Sequence, residues 1–151
     1  MSEDLNPLRE SLATLELALE TPFIPGELVS WFAAASSAVA ATGDVLRHEI
    51  VERHPDTFAE IFDQDPGLAA RIDELRLGDE KSLEMLTALE ERIDRLSPRV
   101  SQLEPDEGRA GEQAADVRSQ GLEFVIHARS QETALGTWFA EAFSRDRGTV
   151  D

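Results

Sequence analysis

Two pairs of side chains in this sequence have the types and spacing to hold a metal ion. His48 and Glu52 stand four apart, so on a helix an imidazole and a carboxylate project side by side. His127 and Glu132 stand five apart and straddle the line Val117, Gly121, Phe124, Ala128, Gln131, Leu135, Trp138, Ala142. That line alternates steps of four and three, the pattern of one helix face. Gln131 interrupts it. A polar group on a core-facing stripe costs free energy unless it is paired. The interruption is therefore a metal site, the relic of one, or a hydrogen-bonded structural layer.

A second seam, Leu68, Ile72, Leu75, Leu86, Leu89, Ile93 and Leu96, is broken at Asp79 and Ser82, with Glu80 beside them. Thr42 breaks a third. Counting helical rises from the connections puts Thr42, Asp79 and His127 at similar heights, which implies one polar layer across the core. As a structural network, the layer bonds Gln131 to Asp79 or Ser82 and His127 to Asp79. As a metal site, its ligands come from His48, Glu52, Asp79, Glu80, His127 and Glu132, an imidazole and carboxylate mixture that iron or manganese accepts. His54, just before Pro55, reads as a terminal histidine against helix-end carbonyls. His48 and Glu52 lie nearly opposite the stripe of their own helix. They reach the interior only if a kink at Thr42-Gly43 turns the last turns inward, and otherwise form a solvated pair.

Four amphipathic helices position these groups, at about 6–20, 27–54, 66–96 and 109–144. Asn6-Pro7 and Asp65-Pro66 each supply a cap followed by proline at the first helical position. The first stripe is Leu5, Leu8, Leu12, Leu15 and Leu19; the second is Leu28, Phe32, Ala35, Val39, Leu46 and Ile50. The second helix is alanine-rich all round before Thr42, which implies burial on more than one side, and Pro55 is expected to end it. A short amphipathic helix over 56–62 then buries Phe58, Ile61 and Phe62. No strand pattern competes. The expected fold is a single all-α domain, an up-down-up-down four-helix bundle with a short extra helix between helices 2 and 3.

Composition narrows the function. The chain has 151 residues, no cysteine and a net charge of −17. Thiolate metal sites, iron–sulfur clusters and disulfides are excluded. Phosphates would be repelled, so neither nucleic acid nor an anionic membrane is an expected partner. The longest apolar stretch, Trp31 to Ala41, is shorter than a transmembrane span, and the acidic N-terminus lacks a signal-peptide pattern. A cytoplasmic location is expected. Glycine-rich phosphate loops, nucleophile elbows and Glu-x-x-His pairs are missing.

The layout resembles the hemerythrin-like (His-His-Glu cation-binding) bundles over roughly residues 5 to 143. His48 and Glu52 match that family's His-x-x-x-Glu on the second helix. His127 and Glu132 match its His-x-x-x-x-Asp/Glu on the fourth. The histidines that the family carries on its first and third helices have no counterpart; Pro7 and Leu8, and Asp79, Glu80, Lys81 and Glu84, stand there instead. The resemblance thus implies a bundle without a full di-iron centre. DinB-like bundles are a second resemblance, and their histidine triad cannot be assembled here either. The first expected function is a non-enzymatic interaction or regulatory protein, without cofactor, with a protein partner or a second copy of the chain. The alternative is an iron or manganese protein with a mononuclear or carboxylate-rich site. A third is a small-molecule pocket lined by Trp31, Trp138 and Phe139.

Overall fold

The computed structural model describes residues 6–103 and 107–150. Of the described residues 93% are helical and none is in a strand. Its four long rods are α1 (Pro7–Glu20), a continuous 37-residue helix (Leu28–Gln64), α4 (Ala69–Leu96) and α6 (Glu107–Val150). The 37-residue rod comprises α2 (Leu28–His48), a π-helical turn (Glu49–Arg53) and α3 (His54–Gln64). A short 3-10 turn, Pro66–Leu68, leads into α4, and another, Ser97–Arg99, leads from it into α5 (Val100–Leu103).

α1 begins where expected: the Asn6 side chain accepts a hydrogen bond from the Arg9 N–H at 3.1 Å, and Pro7 follows the cap. Leu8, Leu12, Leu15 and Leu19 are buried; Leu5 lies outside the described residues. The Trp31 indole N–H donates to the Thr21 carbonyl at 2.8 Å and fixes the loop between α1 and α2. The alanine-rich part of α2 is not buried all round. Ala33, Ala34, Ala40 and Ala41 face outward, where alanine serves as the best helix former rather than as core.

Pro55 does not end the second helix. Proline normally breaks one because it lacks an N–H and its ring crowds the carbonyl four residues back. Here the π-helical turn precedes it, with the His54 N–H bonded to the Glu49 carbonyl five residues back. Pro55 then occupies the first turn of α3, where its missing donor costs nothing. The extra residue rotates everything after it by about 100° relative to an unbroken α-helix. The expected short helix is therefore the continuation of α2. It buries Phe58 and Ile61, while Phe62 points out at 48% exposure.

By length and mean hydropathy (1.2), the rod Leu28–Gln64 is long and apolar enough to cross a membrane, which the shorter Trp31–Ala41 stretch did not suggest; 44% of its most apolar window is buried inside the protein.

The apolar interior falls into two clusters. The larger joins α1, α2, the second half of α4 and the first half of α6, with Leu12, Phe32, Leu86, Leu89, Val117 and Phe124 at its centre. The smaller joins Phe58, Ile61, Leu68, Ile72, Leu75, Leu135 and Ala142. On each of three rods the gap between the clusters is filled by polar residues: Glu49 and His54, Asp79 and Ser82, Gln131 and Glu132.

Candidate metal site

The polar gap is organised around His54. Glu49, in step with Leu46 on the α2 stripe, and His54, turned inward by the π-helical turn, both reach the inner face, where they are 3% and 2% exposed. On one side the His54 Nδ1 lies 2.8 Å from Asp79 Oδ2. The other oxygen of Asp79 accepts from the Gln131 amide at 3.1 Å, and the same amide reaches the Leu75 carbonyl. Gln131 comes this close to α4 because residue 78 is glycine; a Cβ there would collide with the Gln131 side chain.

On its other side, His54 Nε2 faces the Glu132 carboxylate. Glu132 Oε2 is 3.4 Å away, at ion-pair distance but without hydrogen-bond alignment, so Nε2 and Glu132 Oε1 are buried polar atoms with no hydrogen-bond partner. One carboxylate oxygen of Glu49, one of Glu132 and one ring nitrogen of His54 all lie within 4.8 Å of one another. Donors sharing an ion at bond lengths of about 2.0–2.2 Å sit roughly 3–3.4 Å apart. A contraction of about 1 Å around an ion would close this set. Arg53 holds Glu49 in place, its Nη1 donating to both carboxylate oxygens at 3.3 and 3.0 Å.

Burial disfavours a charged His54, but the hydrogen bond to Asp79 and the nearby charges of Asp79 and Glu132 outweigh burial and raise its pKa from 6.5 to about 9. In the metal-free protein a proton therefore occupies the ring at neutral pH. An ion would take that proton's place on Nε2, while Nδ1–H continues to donate to Asp79. This is the carboxylate–histidine–metal arrangement, in which the outer carboxylate fixes tautomer and ring orientation.

The residues named from sequence have separate fates. Asp79 and Glu132 are in the cluster, whereas His48, Glu52 and Glu80 are exposed. Half-buried His127 has its Nε2 3.0 Å from the Gly78 carbonyl rather than bonded to Asp79. The Gln131–Asp79 bond is as expected. Ser82 donates to the Gly78 carbonyl of its own helix at 3.1 Å. Thr42 is not part of this layer: its hydroxyl donates to Ala38 at 2.8 Å and lies 3.3 Å from the Ser11 carbonyl on α1. His54, expected at helix-end carbonyls, is instead the hub, because the helix does not end there. Glu49 was not anticipated. A signal was present for each: Glu49 continues the spacing of Val39, Thr42 and Leu46, and Leu46 and Phe58 are 12 residues apart, against about 11 for three α-turns, so a continuous helix burying both needs about one extra residue between them.

The aromatic residues do not gather around one ligand. Trp31 packs edge-on between Phe23 and Phe32, and Trp138 lies under the Arg71 guanidinium at 5.0 Å. Of the three, only Phe139 lines a cleft of about 840 Å³ between α1, α3 and α6, whose wall also includes Glu132. No protein-family model, curated protein or solved structure matches the chain.

Proposed function

We propose that this protein is an up-down-up-down helical bundle that binds one divalent transition-metal ion through Glu49, His54 and Glu132, with Asp79 orienting the histidine. The observation that carries this reading is the buried His54 Nε2, which makes no hydrogen bond and meets Glu132 only at 3.4 Å, in a ring with Nδ1 fixed on Asp79 and with oxygens of Glu49 and Glu132 within 4.8 Å of one of its nitrogens. Buried polar atoms are rarely left unpaired without a reason. Two carboxylates balance the charge of a divalent ion, and the oxygen and imidazole donors suit iron, manganese or zinc. The reading retains the bundle that the hemerythrin-like resemblance implies, with one ion in place of a di-iron pair and with Glu49 and His54, at the two ends of the π-helical turn, in place of His48 and Glu52.

Elemental analysis of protein purified without added metal, repeated after dialysis against manganese, ferrous iron or zinc at pH 8, tests it. About one ion per chain is expected in the wild type and none in His54→Ala or Glu132→Gln. Absence of bound metal under all of these conditions overturns the reading.

The 2.8 Å bond between His54 and Asp79 favours a second reading, in which the cluster is a purely structural ion-paired layer. The bundle then acts by interaction with itself or with another protein. In that case removing metal leaves the unfolding midpoint unchanged.

A further inference from the structure

The cleft beside the candidate metal site has a charge pattern at odds with the rest of the chain. The protein carries 31 acidic and 14 basic residues, yet Arg9, Arg53 and Arg129 converge on this one cavity, with Glu132 the acidic residue on its wall. Two of the arginines are committed. Arg53 bonds Glu49 at 3.0 Å, and Arg129 grips both oxygens of Glu16 at 2.9 Å each. Arg9 has no ion-pair partner among the described residues, and it stands in the first turn of α1, where the helix dipole adds positive potential. The remaining surface is mixed: Leu12, Leu135 and Phe139 are apolar, while Asn6, Thr57 and Thr133 offer hydrogen-bonding groups.

We propose that this cleft binds a small organic acid, its carboxylate on Arg9 and its apolar body against Leu12, Leu135 and Phe139, positioned beside the ion held by Glu132. The inference rests on the metal-binding reading above. One uncommitted guanidinium supplies one positive charge in a planar fork, which matches a carboxylate monoanion. A phosphate dianion would bring a second negative charge next to Glu132 with no second free cation to meet it. Glu132 is the hinge between the two sites, because it lines the cleft and also offers an oxygen to the metal set.

The test is a titration of octanoate, octyl phosphate and octanol into cobalt(II)-loaded and metal-free protein, followed by calorimetry and by the visible cobalt spectrum. Octanoate is expected to bind the loaded protein and shift the cobalt bands, and octanol to bind at least 10-fold more weakly. Arg9→Ala should weaken octanoate about 10-fold or more without changing cobalt stoichiometry. Arg9→Lys should recover part of the loss. Gly136→Leu provides an independent block: a Cβ at this cleft-lining position meets nothing within 4 Å, so the longer side chain enters the cavity without disturbing the backbone. It should abolish octanoate binding and leave cobalt bound. Cobalt bound, but octanoate absent or indifferent to both Arg9→Ala and Gly136→Leu, overturns the cleft and spares the metal site. Tighter binding of octyl phosphate than of octanoate overturns the carboxylate assignment. Failure of cobalt to bind at all overturns the metal reading and this inference with it.

Discussion

The two halves of α4 and α6 are built on the same seven-residue rhythm but meet different neighbours. From Leu86 to Ile93 and from Val117 to Ala128 the seam enters a dry core completed by the leucines of α1. From Leu68 to Leu75 and from Leu135 to Ala142 it packs on α3, and between the halves sit Asp79, Gln131 and Glu132. The dry half stabilises by removing apolar surface from water, which tolerates any pH. The polar junction stabilises only when its charges are matched, by a proton or by an ion. One chain therefore carries a region indifferent to conditions beside one that responds to them.

The largest effect should come from breaking the dry half. Phe124 is 0% exposed at the centre of the larger cluster, and Phe124→Ala should cost about 3–5 kcal/mol. Urea unfolding of this variant should show the same loss at pH 6 and pH 9.5. A loss that differs between the two pH values would mean that the two regions are not separable.

The junction should behave in the opposite way. Because the folded protein raises the His54 pKa from 6.5 to about 9, the native state holds a proton that the unfolded chain releases. The stabilisation is complete below pH 6.5 and is lost as pH rises through about 9. Its size is about 3 kcal/mol. Metal-free wild type should lose that amount between pH 6 and pH 9.5 relative to His54→Gln, measured by the urea midpoint. Metal acts in the same place as the proton. Apparent affinity for manganese should rise about 10-fold per pH unit until about pH 9, since each ion bound displaces one proton.

Much of this contrast was readable from residue spacing. The α1 leucines and the α4 and α6 seams repeat at the helical period, and burial followed the period. Asp79 and Gln131 stood out as polar residues on apolar stripes, and their bond confirms that such residues seek each other. Thr42 misled because a hydroxyl can satisfy itself on the carbonyl four residues back and needs no partner from another helix. Glu49 and His54 escaped notice for a different reason. The inward direction of His54 depends on the i→i+5 bond to the Glu49 carbonyl, whereas Glu49 follows Leu46 on a stripe whose next apolar residue, Ile50, stands beside it. A one-residue change of phase is small in sequence and decisive in space.

Gly78 sharpens the comparison at intermediate cost. Its missing side chain lets Gln131 reach Asp79 and the Leu75 carbonyl. Gly78→Ala would raise helix propensity, but it forces Gln131 off these partners and leaves one Asp79 oxygen without its donor. Overpacking costs about 1–3 kcal/mol, more than the roughly 1 kcal/mol that alanine returns in a helix. Net destabilisation is expected, with metal content reduced as Asp79 loses its brace. An unchanged urea midpoint and unchanged metal content would show that the brace is dispensable.

The smallest effect belongs to an ion pair of similar length to the one at the junction but at a different address. Arg47 meets Glu90 at 2.6 Å, bridging α2 and α4, with the two side chains 45% and 27% exposed. The hydrogen bond to Glu90 is the main reason that the Arg47 pKa is raised. Water and salt screen such a pair, and holding two long side chains in register costs entropy, so its contribution is about 0.2–1 kcal/mol. Glu90→Gln should shift the urea midpoint by no more than that, and 0.5 M salt should erase most of the difference. The His54–Asp79 pair, 2.8 Å long with side chains 3% and 7% exposed, should keep most of its contribution in the same salt. If both pairs lose stability equally on adding salt, burial does not set the polar junction apart from the surface.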